Sequence, residues 1–224
     1  HENGYIHKLE LDKDENVIIF GDFHGSYHTF FRHMNRLIEK KIIIINDQNE
    51  PVLQKGYSML FLGDIVDRGQ HAVEILLFIF ILIKNSTYNK PQIIINRGNH
   101  ENKSIYNRDG FAIEFAKKFK DTKTKIGKII KDFFTKCPTA VVLKTNETTP
   151  KHIFCCHGCI DPNIPLNFND HNHMVLNEKQ AECIRWGDVN IKNTRPENNV
   201  RSNPPYTKML DYDTISQYLN ENKL

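Results

Sequence analysis

No run of this chain is long and apolar enough to suggest a membrane span. The longest, ILLFIFILI from Ile75 to Ile83, is about half of the ~20 residues a bilayer requires, and it reads as a buried helix. Cysteine is sparse and odd in number: Cys137, Cys155, Cys156, Cys159 and Cys183. In a chain of 224 residues that pattern excludes the disulfide framework of a small secreted domain. It points to a reducing compartment, cytoplasmic or nuclear. Neither sign of charge dominates, since 30 Lys and Arg against 27 Asp and Glu leave +3. So small and scattered an excess gives no case for nucleic acid. No signal peptide, repeat or low-complexity tract is visible, and because the chain opens on His1 a trimmed N-terminus is expected.

What is present suits one domain spanning residues 1–224, with 39% hydrophobic residues to build its core. Short β-type runs alternate with helical stretches. Strands are predicted at Asn16–Phe20, Ser58–Leu62, Gln92–Asn96, Ala140–Lys144 and His152–Cys156. The last two form a hairpin. Helices are predicted at 27–40, at 72–84 and over 110–134 with a break near 121–125. A last helix at 213–220 would be capped by Asp213 or Thr214. Residues 41–56 read as a loop around a possible strand, and the chain beyond Asp161 reads as polar and loop-rich. Alternation of this kind argues for an α/β fold, whose chemistry sits beyond the carboxyl ends of its strands.

Four segments stand at such ends: GDFHG (21–25), GDIVDRG (63–69), RGNHE (97–101) and CHG (156–158). Together they supply Asp22, His24, Asp64, Asn99 and His157. These oxygen and imidazole ligands, without thiolate, suit manganese, iron or zinc. Five ligands exceed the three protein ligands of a single catalytic zinc. They suggest two divalent ions roughly 3.5–4 Å apart, as in phosphate ester displacement. The formal C-x-x-C of Cys156–Cys159 ends a strand instead of opening a helix, so His157 is its chemical residue.

GDFHG, GDIVDRG and RGNHE, in that order, resemble the signature of the phosphoprotein phosphatase family, the metal-dependent Ser/Thr phosphatases. IFCCHG resembles that family's fourth segment, and Ile184-Arg-Trp186-Gly-Asp188 its Trp-Ser-Asp segment. Arg201 falls where the family carries a phosphate-binding arginine. The resemblance implies a metallophosphoesterase-type layered fold, a central β-sandwich flanked by helices. It places Asp22, His24 and Asp64 on the first metal, Asp64 as the bridge, and Asn99 and His157 on the second. His100 would be the general acid, oriented by Asp67, and Arg68, Arg201 and Asn99 would meet the phosphate. An imidazolium aids a poor alkoxide leaving group, and arginine's fork suits a phosphate dianion.

The resemblance also implies phosphoprotein substrates, no membrane or nucleic-acid partner, and an unidentified regulatory subunit. Two departures are visible. Cys159 stands where the family has a second glycine. A further metal-binding histidine and the last strands would fall beyond Leu224, so a fragment is expected. The alternatives are another metallophosphoesterase, a dinucleotide polyphosphate hydrolase or a nuclease, and a phosphoprotein-binding module without turnover. His28, His33 and His71 read as helix-surface or packing residues, His171 and His173 as surface residues ahead of substitutes for the missing ligand, and Trp186 as a core aromatic. Asp188 would face the site's water or cap a turn. Glu101 would either support a ligand from behind or form a plain salt bridge.

Overall fold

The computed structural model describes residues 4–86, 90–120, 125–168, 172–190, 197–198, 207–222 and 224. In chain order its elements are β1 (Tyr5–Glu10), β2 (Asn16–Phe20), α1 (Tyr27–Glu39), β3 (Ile43–Ile45), β4 (Pro51–Leu53), β5 (Tyr57–Phe61), α2 (Ala72–Asn85) and β6 (Ile93–Ile95). Then come α3 (Lys103–Asp109), α4 (Phe111–Phe119), α5 (Lys125–Lys136), β7 (Ala140–Lys144), β8 (His152–Cys156), β9 (His173–Val175) and α6 (Glu178–Trp186). The chain closes with β10 (Asp188–Val189), β11 (Glu197–Asn198), β12 (Lys208–Leu210) and α7 (Tyr212–Glu221). They form two compact units interleaved in sequence. An inner unit takes Asp14–Ile95 and His100–Phe134, and a terminal unit takes His1–Lys13, Asn96–Asn99 and Thr135–Leu224.

The inner unit holds a parallel sheet in the order β2-β5-β6. Its central strand is buried from Ser58 to Phe61, as expected of a covered parallel strand. Helices α1 and α2 make the crossovers that parallel pairing demands. All three carboxyl ends therefore face one edge, where GDFHG and GDIVDRG leave and to which His100 and Glu101 return. Helix α2 buries Ile75, Leu76, Ile79 and Leu82 and exposes Leu77, each buried side chain contributing about 1.5–3 kcal/mol. Its N-terminus lacks a side-chain cap from His71. Instead the buried carboxylate of Glu114 accepts from the amides of Ala72 (3.2 Å) and Val73 (2.9 Å), satisfying two orphan donors at the positive end of the dipole. Residues 41–56 are more ordered than expected, since β3 pairs antiparallel with β4.

The terminal unit is built on a sheet in the order β8-β7-β1-β9. The predicted β7–β8 hairpin is there, with Ala140 opposite Cys156. Ile6, Ala140, Val142, Ile164, Leu176, Ala181 and Ile184 form its core. Strand β1, parallel to β7, escaped the sequence reading because YIHKLE carries only two buried apolar residues, Ile6 and Leu9. Helix α6 lies in the stretch read as loop. Its signal was a capping box, Asn177 accepting from the Gln180 amide while the Gln180 side chain accepts from the Asn177 amide. Helix α7 is capped by Asp211, which accepts from Thr214 N at 2.8 Å, so neither expected cap is used. Among the described residues no helix is long and apolar enough to cross a membrane.

Candidate active site

In the inner unit the first two motif loops lock together through backbone. The amides of Phe23 and His24 donate to Asp64 O at 3.1 and 2.9 Å, and Gly69 N donates to His24 O at 2.8 Å. A Cβ on Gly69 would stand 2.5 Å from His24 O and 2.6 Å from the Gly25 carbonyl carbon, so close approach requires glycine there. His24, Asp64, Asp67 and Arg68 all adopt left-handed backbone, with φ of 46°, 51°, 70° and 63°. Such conformations cost about 1–3 kcal/mol each and persist only where surroundings impose them.

Glu101 braces the start of the second loop. It is 1% exposed, and its carboxylate accepts from the amides of Asp64 (2.8 Å), Ile65 (2.9 Å) and Val66 (3.3 Å). Asp64 Oδ1 in turn accepts from His100 N at 2.9 Å. Of the two sequence readings of Glu101, these bonds fit support of the Asp64 loop from behind.

His24 Nδ1 donates to the Val66 carbonyl at 2.9 Å, which leaves the lone pair on Nε2. Among the described residues that buried nitrogen has no hydrogen-bond partner. It lies 3.4 Å from Asp64 Oδ2 and 3.8 Å from Asp22 Oδ2. A buried imidazole nitrogen facing two carboxylate oxygens is an arrangement that a divalent cation satisfies.

Beside it, His100 is 4% exposed and Asp67 fully buried. His100 Nδ1 donates to Asp67 Oδ2 at 2.8 Å. The other oxygen of Asp67 accepts from Phe111 N, also at 2.8 Å, so the start of α4 holds the carboxylate from the far side. Burial pulls the His100 pKa down. The hydrogen bond to Asp67 and the charges of Asp64 and Asp67 outweigh burial and the nearby Arg68, leaving the pKa raised. Arg68 is exposed, and its Nη2 donates to His100 Nε2 at 3.3 Å. Asp109 was not foreseen. Its carbonyl accepts from Arg68 N at 3.2 Å, and its carboxylate lies 4.0 Å from His100 Nδ1. The Asp109-Gly110 dipeptide is a turn signal, but nothing in the sequence links it to His100.

In the terminal unit Asn99 Oδ1 and His157 Nε2 lie 2.9 Å apart. Asn96 Nδ2 donates to Cys155 O at 3.0 Å and Arg97 N to Pro138 O at 2.7 Å, tying the Asn96–Asn99 segment to the end of β8 and to the approach to β7. Past His157 the chain hugs α6: a Cβ on Gly158 would stand 2.5 Å from Ile184 O. Cys159 is not among the residues with left-handed backbone, so a cysteine there carries no φ penalty. It packs with Ile160, Leu210 and Tyr218. Burial pushes the Cys155 and Cys159 thiols up to about 11 and Cys156 higher still, the behaviour of packing residues rather than a redox pair.

Arg201 and His171 lie outside the described residues. His28, His33 and His71 are exposed, as expected. His173 instead opens β9, opposite His7 of β1, with ring centroids 4.9 Å apart. Trp186 is only half-buried at the end of α6, and Asp188 Oδ1 accepts from Val189 N at 2.8 Å.

Residues 15–224 match the family model described as calcineurin-like phosphoesterase. The mouse serine/threonine-protein phosphatase with EF-hands 2 is 31% identical over 201 residues, 88% of this chain and 23% of that protein. The Saccharomyces cerevisiae serine/threonine-protein phosphatase PP2A-like PPG1 is 29% identical over 83% of this chain and 47% of its own length. The chain thus spans less than half of either curated relative. A solved serine/threonine phosphatase from S. cerevisiae, with similarity to human phosphatase PP5, superimposes over 98% of this chain and 62% of its own, with TM-score 0.66 at 23% identity. The fold is therefore the α/β metallophosphoesterase fold, with mixed sheets flanked by helices.

Proposed function

We propose that this chain, which belongs to the calcineurin-like phosphoesterase family and is related to the Ser/Thr protein phosphatases, hydrolyses phosphoserine and phosphothreonine in proteins. The observation that carries the reading is the pairing of a cation-hungry cluster, His24 Nε2 with Asp22 and Asp64, with an acid–carboxylate dyad, His100 with Asp67. Asp22, His24 and Asp64 would hold one divalent ion, and Asn99 and His157 would be ligands of a second. When bound, such ions make hydroxide available near neutral pH and offset phosphate charge.

The chain's own residues do the rest. Arg68 is exposed and free to swing onto a phosphate oxygen, which a guanidinium binds well. That movement withdraws its hydrogen bond from His100 Nε2. The nitrogen can then carry the proton that a leaving serine alkoxide needs, at a pKa that Asp67 and Asp64 hold up. Glu101 keeps Asp64 and Asp67 at fixed separation while this happens.

The test is phosphate release from phosphoserine and phosphothreonine peptides by the manganese-loaded protein, beside its His100→Asn variant and beside diadenosine tetraphosphate as substrate. Peptide turnover lost in the variant is expected. Equal rates for variant and parent would overturn the acid role. Hydrolysis of the dinucleotide alone would move the reading to another metallophosphoesterase, and peptide binding with no turnover to a binding module.

A further inference from the structure

Within the inner unit, α3, α4 and α5 enclose a groove that the proposed chemistry leaves unused. Its floor is aromatic and aliphatic: Tyr106, Phe111, Phe115 and Ile130. The rings brace one another, Tyr106 against Phe111 at 5.9 Å and Phe111 against Phe115 at 6.0 Å between centroids, so the floor is preformed. Its volume is about 260 Å³, below the ~300–1,000 Å³ typical of small-ligand and cofactor sites and of a size for one bulky side chain. Lys103, Lys128 and Lys131 line it, all three exposed, and among the described residues no carboxylate does. Helix α5 carries four lysines against one carboxylate, Asp132, and shows solvent two further large apolar residues, Ile126 and Ile129. An apolar socket rimmed by one sign of charge has a defined complement.

We propose that this groove docks an acidic segment of the phosphoprotein substrate, seating one bulky apolar side chain on the Phe111–Phe115 floor with flanking carboxylates against Lys103, Lys128 and Lys131. The three lysines select negative charge, and the single socket selects an anchor that neither free phosphate nor a nucleic-acid backbone offers. The source is the substrate rather than an unrelated partner because Lys103 follows His100 by only three positions in the chain. A docked segment is then tethered close to the acid and raises the effective concentration of its own phosphosite. The inference rests on the phosphatase reading for its substrate, but the groove can be tested without turnover.

The probe is a fluorescein-labelled peptide, Glu-Glu-Phe-Glu-Glu-Leu, titrated with the protein in fluorescence anisotropy at low and high salt. Two variants accompany it: Lys128→Glu with Lys131→Glu, and Ala112→Trp to fill the socket. Binding is expected in the parent, weakened by salt and weakened roughly tenfold by either variant. The same sequence appended to a phosphoserine peptide is expected to lower KM without changing kcat in the parent only, and p-nitrophenyl phosphate turnover is expected to be unchanged by both variants. Absence of binding, or equal binding by parent and variants, would overturn the proposal. Binding that the variants abolish, with no phosphopeptide hydrolysed, would remove the phosphatase reading and leave the groove standing.

Discussion

The carboxylate of Glu101 and the backbone of Asp64 are joined at 2.8 Å, with both residues buried. This bond, repeated to the amides of Ile65 and Val66, turns a glutamate at the end of one motif into the support of another. Of the three left-handed positions Asp64, Asp67 and Arg68, the first is held directly by it.

Glu101→Ala leaves three buried amides without acceptors, each costing about 1–3 kcal/mol. A loss of about 3 kcal/mol is expected in urea unfolding, together with reduced manganese uptake. A variant as stable as the parent would show that the loop keeps its shape unaided.

Removing the proton donor should matter most where the leaving group is poor. His100→Asn is expected to cut kcat on phosphoserine peptide by about 10²–10⁴ and on p-nitrophenyl phosphate by far less. Asp67→Asn is expected to show the same asymmetry at smaller size. Equal losses on both substrates would mean that His100 positions rather than protonates.

The lone pair on His24 Nε2 predicts a thermal signature. A ligand bound only to the folded state at a hundred times its Kd stabilises by about 2.7 kcal/mol. Manganese is therefore expected to raise the Tm of the parent, with the shift reduced in His24→Ala. Elemental analysis should find correspondingly less metal in that variant.

Two glycines of similar appearance should behave differently. Gly69→Ala drives a Cβ into the His24 carbonyl, and a loss of about 1–3 kcal/mol is expected. Gly21→Ala meets nothing within 4 Å and is expected to stay within ~0.5 kcal/mol of the parent. Comparable denaturation midpoints for the two would contradict the backbone contact.

His7 sets a pH dependence in the terminal unit. Burial, and then the neighbouring His173, hold its pKa below the ordinary histidine value. The unfolded chain therefore binds the proton more readily. The stability that His7 contributes is full above about pH 6.5 and is lost as pH falls through its lowered folded value. Urea midpoints of the parent should fall between pH 7.5 and 5.5 by more than those of His7→Gln.

Much of the architecture was legible because it follows from period and punctuation. Strands β2, β5, β7 and β8 and helices α1 and α2 came from apolar runs bounded by Gly-Asp or by charge. Elements β1, α3 and α6 did not, since YIHKLE alternates poorly, α3 is too short for a period to show, and α6 announces itself only through its cap. His24, Asp64, Asp67 and His100 stood out as candidates in the sequence because few side chains can serve the chemistry that their motifs suggest, and the structure places them close together.

The linear chain, then, determined which residue types stand at the strand ends and what chemistry they can support, since those depend on composition and spacing. Tertiary structure alone decided the rest. It made Glu101 a clamp on three amides, fixed Asp67 against the amide of Phe111, and turned the bare nitrogen of His24 toward two carboxylates. It also gathered three helices into a lysine-rimmed groove. The clamp on three amides and the Asp67–Phe111 bond join residues distant in sequence through backbone groups that every residue carries, and the other two arise only where folding brings separate segments together, so the order of letters alone does not display them.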